Sequence, residues 1–192
     1  VLHEVAHGFA ANYLGDPTAK LSGRLTLNPV SHIDPLGSVI LPAILALSGS
    51  PFLFGWAKPV PYNPYNFQRG GRWGEAFVAA AGPAVNVGIA LFFGILLRLG
   101  LLPTETVSLA VSIVFINILL AIFNLLPIPP LDGSKILARV LPRSLSLQYE
   151  QLRATLEHNI LIGFGAVIVF LLLLGSQLAQ FVQLITRIII GG

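Results

Sequence analysis

Four stretches of the chain are apolar almost without a break, near residues 1–14, 75–99, 107–126 and 159–185. Roughly 20 consecutive apolar residues are what a helix needs to cross a bilayer's hydrocarbon core. In the second stretch, Ala79, Ala80, Gly82, Ala84 and Gly88 are small enough for close helix packing, and Pro83 and Asn86 interrupt it. The third carries Asn117 and Asn124 and runs into NLLPIPPLDGSKIL, where Pro127, Pro129 and Pro130 end the helix just before Asp132-Gly133. The fourth is strongest from Asn159 to Leu174. Beyond that Gln177, Gln180, Gln183 and Arg187 fall close to one face, an interfacial or interhelical surface.

Between the first two stretches lie about 60 residues rich in Pro and Gly. In Lys20 to Asn28, Leu21, Leu25 and Leu27 alternate with polar residues, which predicts a short strand or hairpin. Leu36 to Leu47 is apolar but too short for an ordinary span, so it reads as a re-entrant or shallow segment. Lys58 to Asn66 reads as extended and turn-rich. Such backbone survives at membrane depth only where protein or a water-filled cavity covers it. Arg139 to Glu157 reads as a polar, partly amphipathic connector. The expected fold is an all-α polytopic membrane protein with about four spanning helices and a re-entrant or β-hairpin-like embedded loop.

Composition agrees: 55% of the 192 residues are hydrophobic and 10% charged, against roughly 25% charged in a soluble domain. The net charge of +3 is spread over loops, which argues against a nucleic-acid partner. With no cysteine there is neither a disulfide nor a thiolate ligand. The chain opens in mid-helix on Val1 and has no Met, so it is read as one domain, 1–192, truncated at its N-terminus, with earlier residues expected to complete the first helix. Lys20, Arg24, Lys58, Arg69 and Arg72 in one loop, and Lys135, Arg139, Arg143 and Arg153 in another, fall on one side, which the positive-inside bias makes cytoplasmic.

The chemistry sits in the first stretch, VLHEVAHGFAANYLG. His3 and His7, four residues apart, share a helical face and can present two imidazole nitrogens to one metal ion, with Glu4 beside them. A zinc hydrolase needs such a pair and a carboxylate to take a proton from water. The apolar neighbours Leu2, Val5, Ala6, Phe9, Ala10 and Ala11 would leave three polar groups costly unless coordinated. Candidates for a third ligand are Asp16, Asp34, Asp132, His32 and His158. Asp132 is best placed, after a proline break at the end of a span and on the side of the first helix.

H-E-x-x-H in an apolar helix, then an AGPAVN span, then NLLPIPPLDG, resembles the site-2 protease family of intramembrane zinc metalloproteases, in its compact branch without a PDZ module. The resemblance covers nearly the whole chain. It implies one Zn²⁺ held by His3, His7 and Asp132, with Glu4 as general base. Asn124 would hold the substrate backbone or polarise its carbonyl, and Asn86 would lie near the active site. It further implies cleavage of membrane-spanning or membrane-associated substrates within a multi-pass cell-membrane protein whose site faces the cytoplasm.

A helical substrate hides its carbonyls and must unwind locally. The Lys20–Asn28 piece or the Tyr62–Phe67 run offers an edge with which it could pair, plain loop packing being the alternative. His32 and Asp34 either orient a ligand or make a backbone bond and a turn cap. Asn117 reads as an interhelical bond and His158 as structural. A competing reading is a membrane metal transporter using the same His3, His7 and Asp132 with Glu4 as a fourth ligand. The absence of an internal repeat argues against it, and the intact motif residues argue against an inert scaffold.

Overall fold

A computed structural model describes residues 1–49 and 55–192 and divides the chain into two compact units, Val1–Gly74 and Glu75–Gly192. The described residues are all-helical, with no strand.

The first unit is built on α1, Leu2–Leu14. It buries Val5, Ala10, Ala11 and Leu14 and stops at Gly15, whose φ of 108° is a left-handed value natural to glycine. The Gly15 and Asp16 amides return to Asn12 and Ala11, closing the last turn. The alternation over Lys20–Asn28 does not become a strand. Thr18–Leu21 forms the single turn α2, and Gly23, at φ 65°, closes it as the Arg24 amide bonds back to Ala19. Glycine in the left-handed region breaks the two-residue period, and Leu21 and Leu27 stay exposed. The apolar 35–47 segment is helical throughout, a π-helical stretch Pro35–Ile40 leading into α3, Leu41–Leu47.

Residues 56–60 run extended. The amides of Trp56, Lys58 and Val60, at alternate positions, donate to the Gly37 carbonyl, the His32 carbonyl and the Glu4 carboxylate at 3.2, 2.9 and 3.2 Å. Asn63 caps the short 3₁₀ turn Pro64–Asn66 by accepting from the Tyr65 amide. The chain then returns to α1, where the Gln68 and Arg69 amides both donate to the Leu14 carbonyl.

The second unit holds α4 (Gly74–Arg98), α5 (Thr104–Asn124), α6 (Asp132–Val140), α7 (Arg143–His158) and α8 (Ile160–Ile190). Among the described residues three helices, over 71–98, 104–124 and 162–190, are long and apolar enough to cross a membrane. The protein is an integral membrane protein. The span expected at 1–14 corresponds to the helix α1, Leu2–Leu14. The connector expected at 139–157 is helical, divided between α6 and α7 at Pro142.

Ala90, Val114, Ile118, Leu178 and Val182 form the core of this unit. Val114 and Ile118, like Leu178 and Val182, are four residues apart, so each helix presents one ridge to its neighbour. Gln177, Gln180, Gln183 and Arg187 stay exposed. Arg98, ending α4, donates to the terminal carbonyls of α8 at Ile188 and Ile189, satisfying groups that every helix end leaves open.

Candidate metal centre

Helical geometry alone brings His3 and His7 together. Their Nε2 atoms are 3.1 Å apart, with ring centroids at 4.7 Å and planes nearly perpendicular. His7 is buried and His3 half-buried. The half-buried Glu4 carboxylate accepts the Val60 amide at 3.2 Å, which fixes one carboxylate oxygen while the side chain stays on the histidine-bearing turn. Gly8 makes that approach possible: a Cβ there would lie 2.6 Å from Leu25 Cδ2 and 2.8 Å from Val60 Cγ1.

Asp132 opens α6 in the second unit and is buried. A carboxylate in a first helical turn is favoured by the amide dipoles, and Lys135 lies one turn on at 3.7 Å. The following glycine is dictated by backbone. A Cβ at Gly133 would fall 2.1 Å from the Leu125 carbonyl oxygen and 2.5 Å from that of Leu126, atoms that no rotamer change can move. Ser134 is fully buried, its hydroxyl donating to the Leu131 carbonyl at 2.7 Å.

Three of the other candidate ligands, His32, Asp34 and Asp16, are engaged elsewhere. His32 is buried, with Nε2 at 2.9 Å from the Thr26 carbonyl and Nδ1 at 3.5 Å from Arg24. The carbonyl partner makes Nε2 the protonated nitrogen. Asp34 caps the 35–40 turn by accepting from the Leu36 and Gly37 amides. For both residues the backbone role expected as one alternative is the one seen. His158 is exposed at the end of α7.

Asp16 is fully buried. One oxygen accepts from the Thr18 hydroxyl at 2.5 Å and the Asn66 amide at 2.8 Å, the other from the Asn63 backbone at 2.7 Å. Burial raises its pKa, but the bonds from Thr18, Asn66 and Asn63 together outweigh burial and hold the carboxyl below its ordinary value. Asn124, ending α5, donates its side-chain amide to the Leu120 carbonyl at 2.9 Å, and Asn86 is buried in α4. Asn117 bonds to the Ile113 carbonyl of its own helix rather than to a neighbour.

Several polar residues escaped the sequence reading because no motif marks them. Arg24 is buried and donates to the Lys58 carbonyl at 2.7 Å, holding the extended 56–60 segment from behind. Glu75 is buried in an ion cluster with Arg139 and Arg153. A carboxylate at the head of an apolar stretch, followed by arginines on later helices, was the available signal.

Comparison with known proteins fits this donor chemistry. The profile of peptidase family M50 matches residues 101–172. YwhC of Bacillus subtilis (strain 168) is 35% identical over 190 residues, covering 94% of this chain and 78% of the relative. Rip2 of Mycolicibacterium smegmatis is 35% identical over 69% of this chain, and Rip2 of Mycobacterium tuberculosis is 34% identical over the same share. This chain spans 50% of either Rip2 protein. All three are provisionally named as zinc metalloproteases. No solved structure matches the chain. With YwhC aligned along nearly the whole sequence, the chain belongs to peptidase family M50, the site-2 protease family of metallopeptidases.

Proposed function

We propose that residues 1–192 form one intramembrane zinc peptidase domain in which His3, His7 and Asp132 hold a single Zn²⁺ and Glu4 is the general base. The observation that carries this reading is the pairing of His3 and His7, Nε2 to Nε2 at 3.1 Å, with Glu4 on the same turn. Two imidazoles sharing a tetrahedral zinc at about 2.0–2.1 Å stand roughly 3.3 Å apart, so the pair fits that ion. Two imidazole nitrogens and one carboxylate leave a fourth position open, as hydrolytic zinc sites require. When bound, zinc supplies Lewis acidity, lowering the pKa of water and polarising the scissile carbonyl.

Glu4 takes the proton from the attacking water and returns it to the leaving amine nitrogen. The Val60 amide holds one carboxylate oxygen, leaving the other for that transfer. Asn124 serves the substrate carbonyl once its side-chain amide leaves the Leu120 carbonyl, and Asn86 supports the site from within α4. The substrate is a membrane-spanning or membrane-associated protein that unwinds locally, and the embedded 35–47 segment lies in the same membrane.

The cytoplasmic orientation follows from the basic loops at 15–74 and 127–157. In a cysteine-free chain, a probe excluded from the cytoplasm should label Thr104→Cys and spare Arg143→Cys; the reverse pattern refutes that orientation. The transport reading has no support from the relatives.

The activity test uses the full chain purified without chelator. The reading expects one zinc per chain by elemental analysis and cleavage of a single-span peptide that a chelator abolishes. Metal-free protein, or cleavage indifferent to the chelator, contradicts it.

A further inference from the structure

We propose that α7 is a polar brace setting the position of Asp132, with Glu75 as the residue on which the brace closes; this rests on reading Asp132 as a metal ligand. Helix α7 carries Ser146, Tyr149, Glu150 and Arg153 at spacings that put all of them on one helical face. The Ser146 hydroxyl donates to the Ala138 carbonyl at 2.7 Å, and the Tyr149 hydroxyl donates to the Pro127 carbonyl at 2.9 Å. Glu150 pairs with Arg139 at 2.7 Å, and Arg153 pairs with Glu75 at 2.9 Å. The other Glu75 oxygen accepts from Arg139, so each carboxylate oxygen faces a different guanidinium. Glu157, one turn beyond Arg153, lies 3.8 Å from it.

Pro127 begins the turn that leads to Asp132, and Ala138 and Arg139 lie in the last turn of the helix that Asp132 begins. One face of α7 therefore grips the Asp132-bearing stretch at both ends. Between those grips, Gly133 lies against the Leu125 and Leu126 carbonyls with no room for a methyl group. Asp132 and Arg139 are seven residues apart on one face of α6, about 10.5 Å along its axis. A change in how Arg139 meets Glu75 is therefore passed along a rigid helix to Asp132.

Burying Glu75 between two arginines is poor economy for stability alone, since well-packed apolar residues generally serve as well. What the charges add is register. Outer residues that orient a metal ligand typically change metal affinity by about 10- to 100-fold when altered.

The test measures zinc affinity by chelator competition, and the thermal midpoint of metal-free protein, on the full chain in detergent. Glu75→Gln should weaken zinc binding about 10-fold and Tyr149→Phe about 3-fold, at the lower edge of that range or just under it. Val182→Ala, a fully buried core change outside the brace, should lower the thermal midpoint yet keep zinc affinity within about 2-fold. Wild-type affinity in Glu75→Gln, or an equal loss in Val182→Ala, overturns the proposal. If Glu75→Gln yields no folded protein, Tyr149→Phe decides, and wild-type affinity there overturns it too. Asp132→Ala in the same assay separates the two levels. Undiminished zinc binding in that variant refutes the ligand reading. Lost binding there, with Glu75→Gln and Tyr149→Phe unaffected, refutes the brace alone.

Discussion

The backbone amide of Val60 donates to the Glu4 carboxylate at 3.2 Å, joining residues 56 positions apart in sequence. The contact depends on the bare backbone at Gly8, because Val60 Cγ1 would lie 2.8 Å from a Cβ there. Valine is stiff at χ1, so Gly8→Ala should displace the Val60 backbone rather than only its side chain. The histidines stay in place. Zinc content should remain at one per chain while kcat falls between about 10- and 100-fold, the scale of a small misplacement of a reacting group. Elemental analysis and single-turnover kinetics on one preparation check this; full activity would mean the Val60 contact does not position the base.

Asp16 makes a prediction about acid stability. Its carboxyl sits below the ordinary value of 3.8 because hydrogen bonds to the charged form outweigh burial. A depressed folded-state pKa contributes stability that is fully present above the unfolded value of about 3.9 and is lost as pH falls through the folded value. Asp16→Asn puts an NH₂ group against either the Asn63 amide or the Thr18 and Asn66 donors. At neutral pH it should cost about 1–3 kcal/mol, as for an unsatisfied buried group. Thermal midpoints of wild type and variant should differ at pH 7 and converge below about pH 4. A constant gap across that range would show that the charge on Asp16 contributes nothing.

Asn124 tests whether a helix-end amide works on substrate. Its side chain now bonds to its own helix at Leu120, and that bond is cheap to exchange for one to a developing oxyanion. Asn124→Ala should leave zinc content and thermal midpoint nearly unchanged and lower kcat by about 10²-fold. Loss of zinc would make the residue structural, and unchanged kcat would remove it from the mechanism.

The helices bearing the chemistry were legible because their signals are local. His3 and His7 meet through the helical repeat, and Pro127 to Pro130 mark where α5 must end before Asp132. Asp34 announced its cap by preceding a proline turn. The Lys20–Asn28 strand failed because alternation reports a partner sheet, and here the leucines have none; Gly23 turns the chain instead. Asp16, Arg24 and Glu75 were not legible in their roles. Beyond the local contacts to Thr18 and His32, their partners lie 34 residues away or more, and single side-chain bonds across such distances leave no period in the sequence. Gly8 and Gly133 were equally silent, since both answer to the close approach of another segment rather than to a turn.

In the proposed mechanism Glu4 moves protons while His3, His7 and Asp132 hold the metal. Glu4→Gln keeps the shape and an acceptor for the Val60 amide but removes the proton acceptor. The most direct measurement is zinc content and cleavage of a single-span peptide on that variant beside wild type and Asp132→Ala. Glu4→Gln should retain one zinc per chain with cleavage near background, whereas Asp132→Ala should lose both. Glu4→Gln cutting at close to the wild-type rate, or shedding its zinc as Asp132→Ala does, would contradict the account.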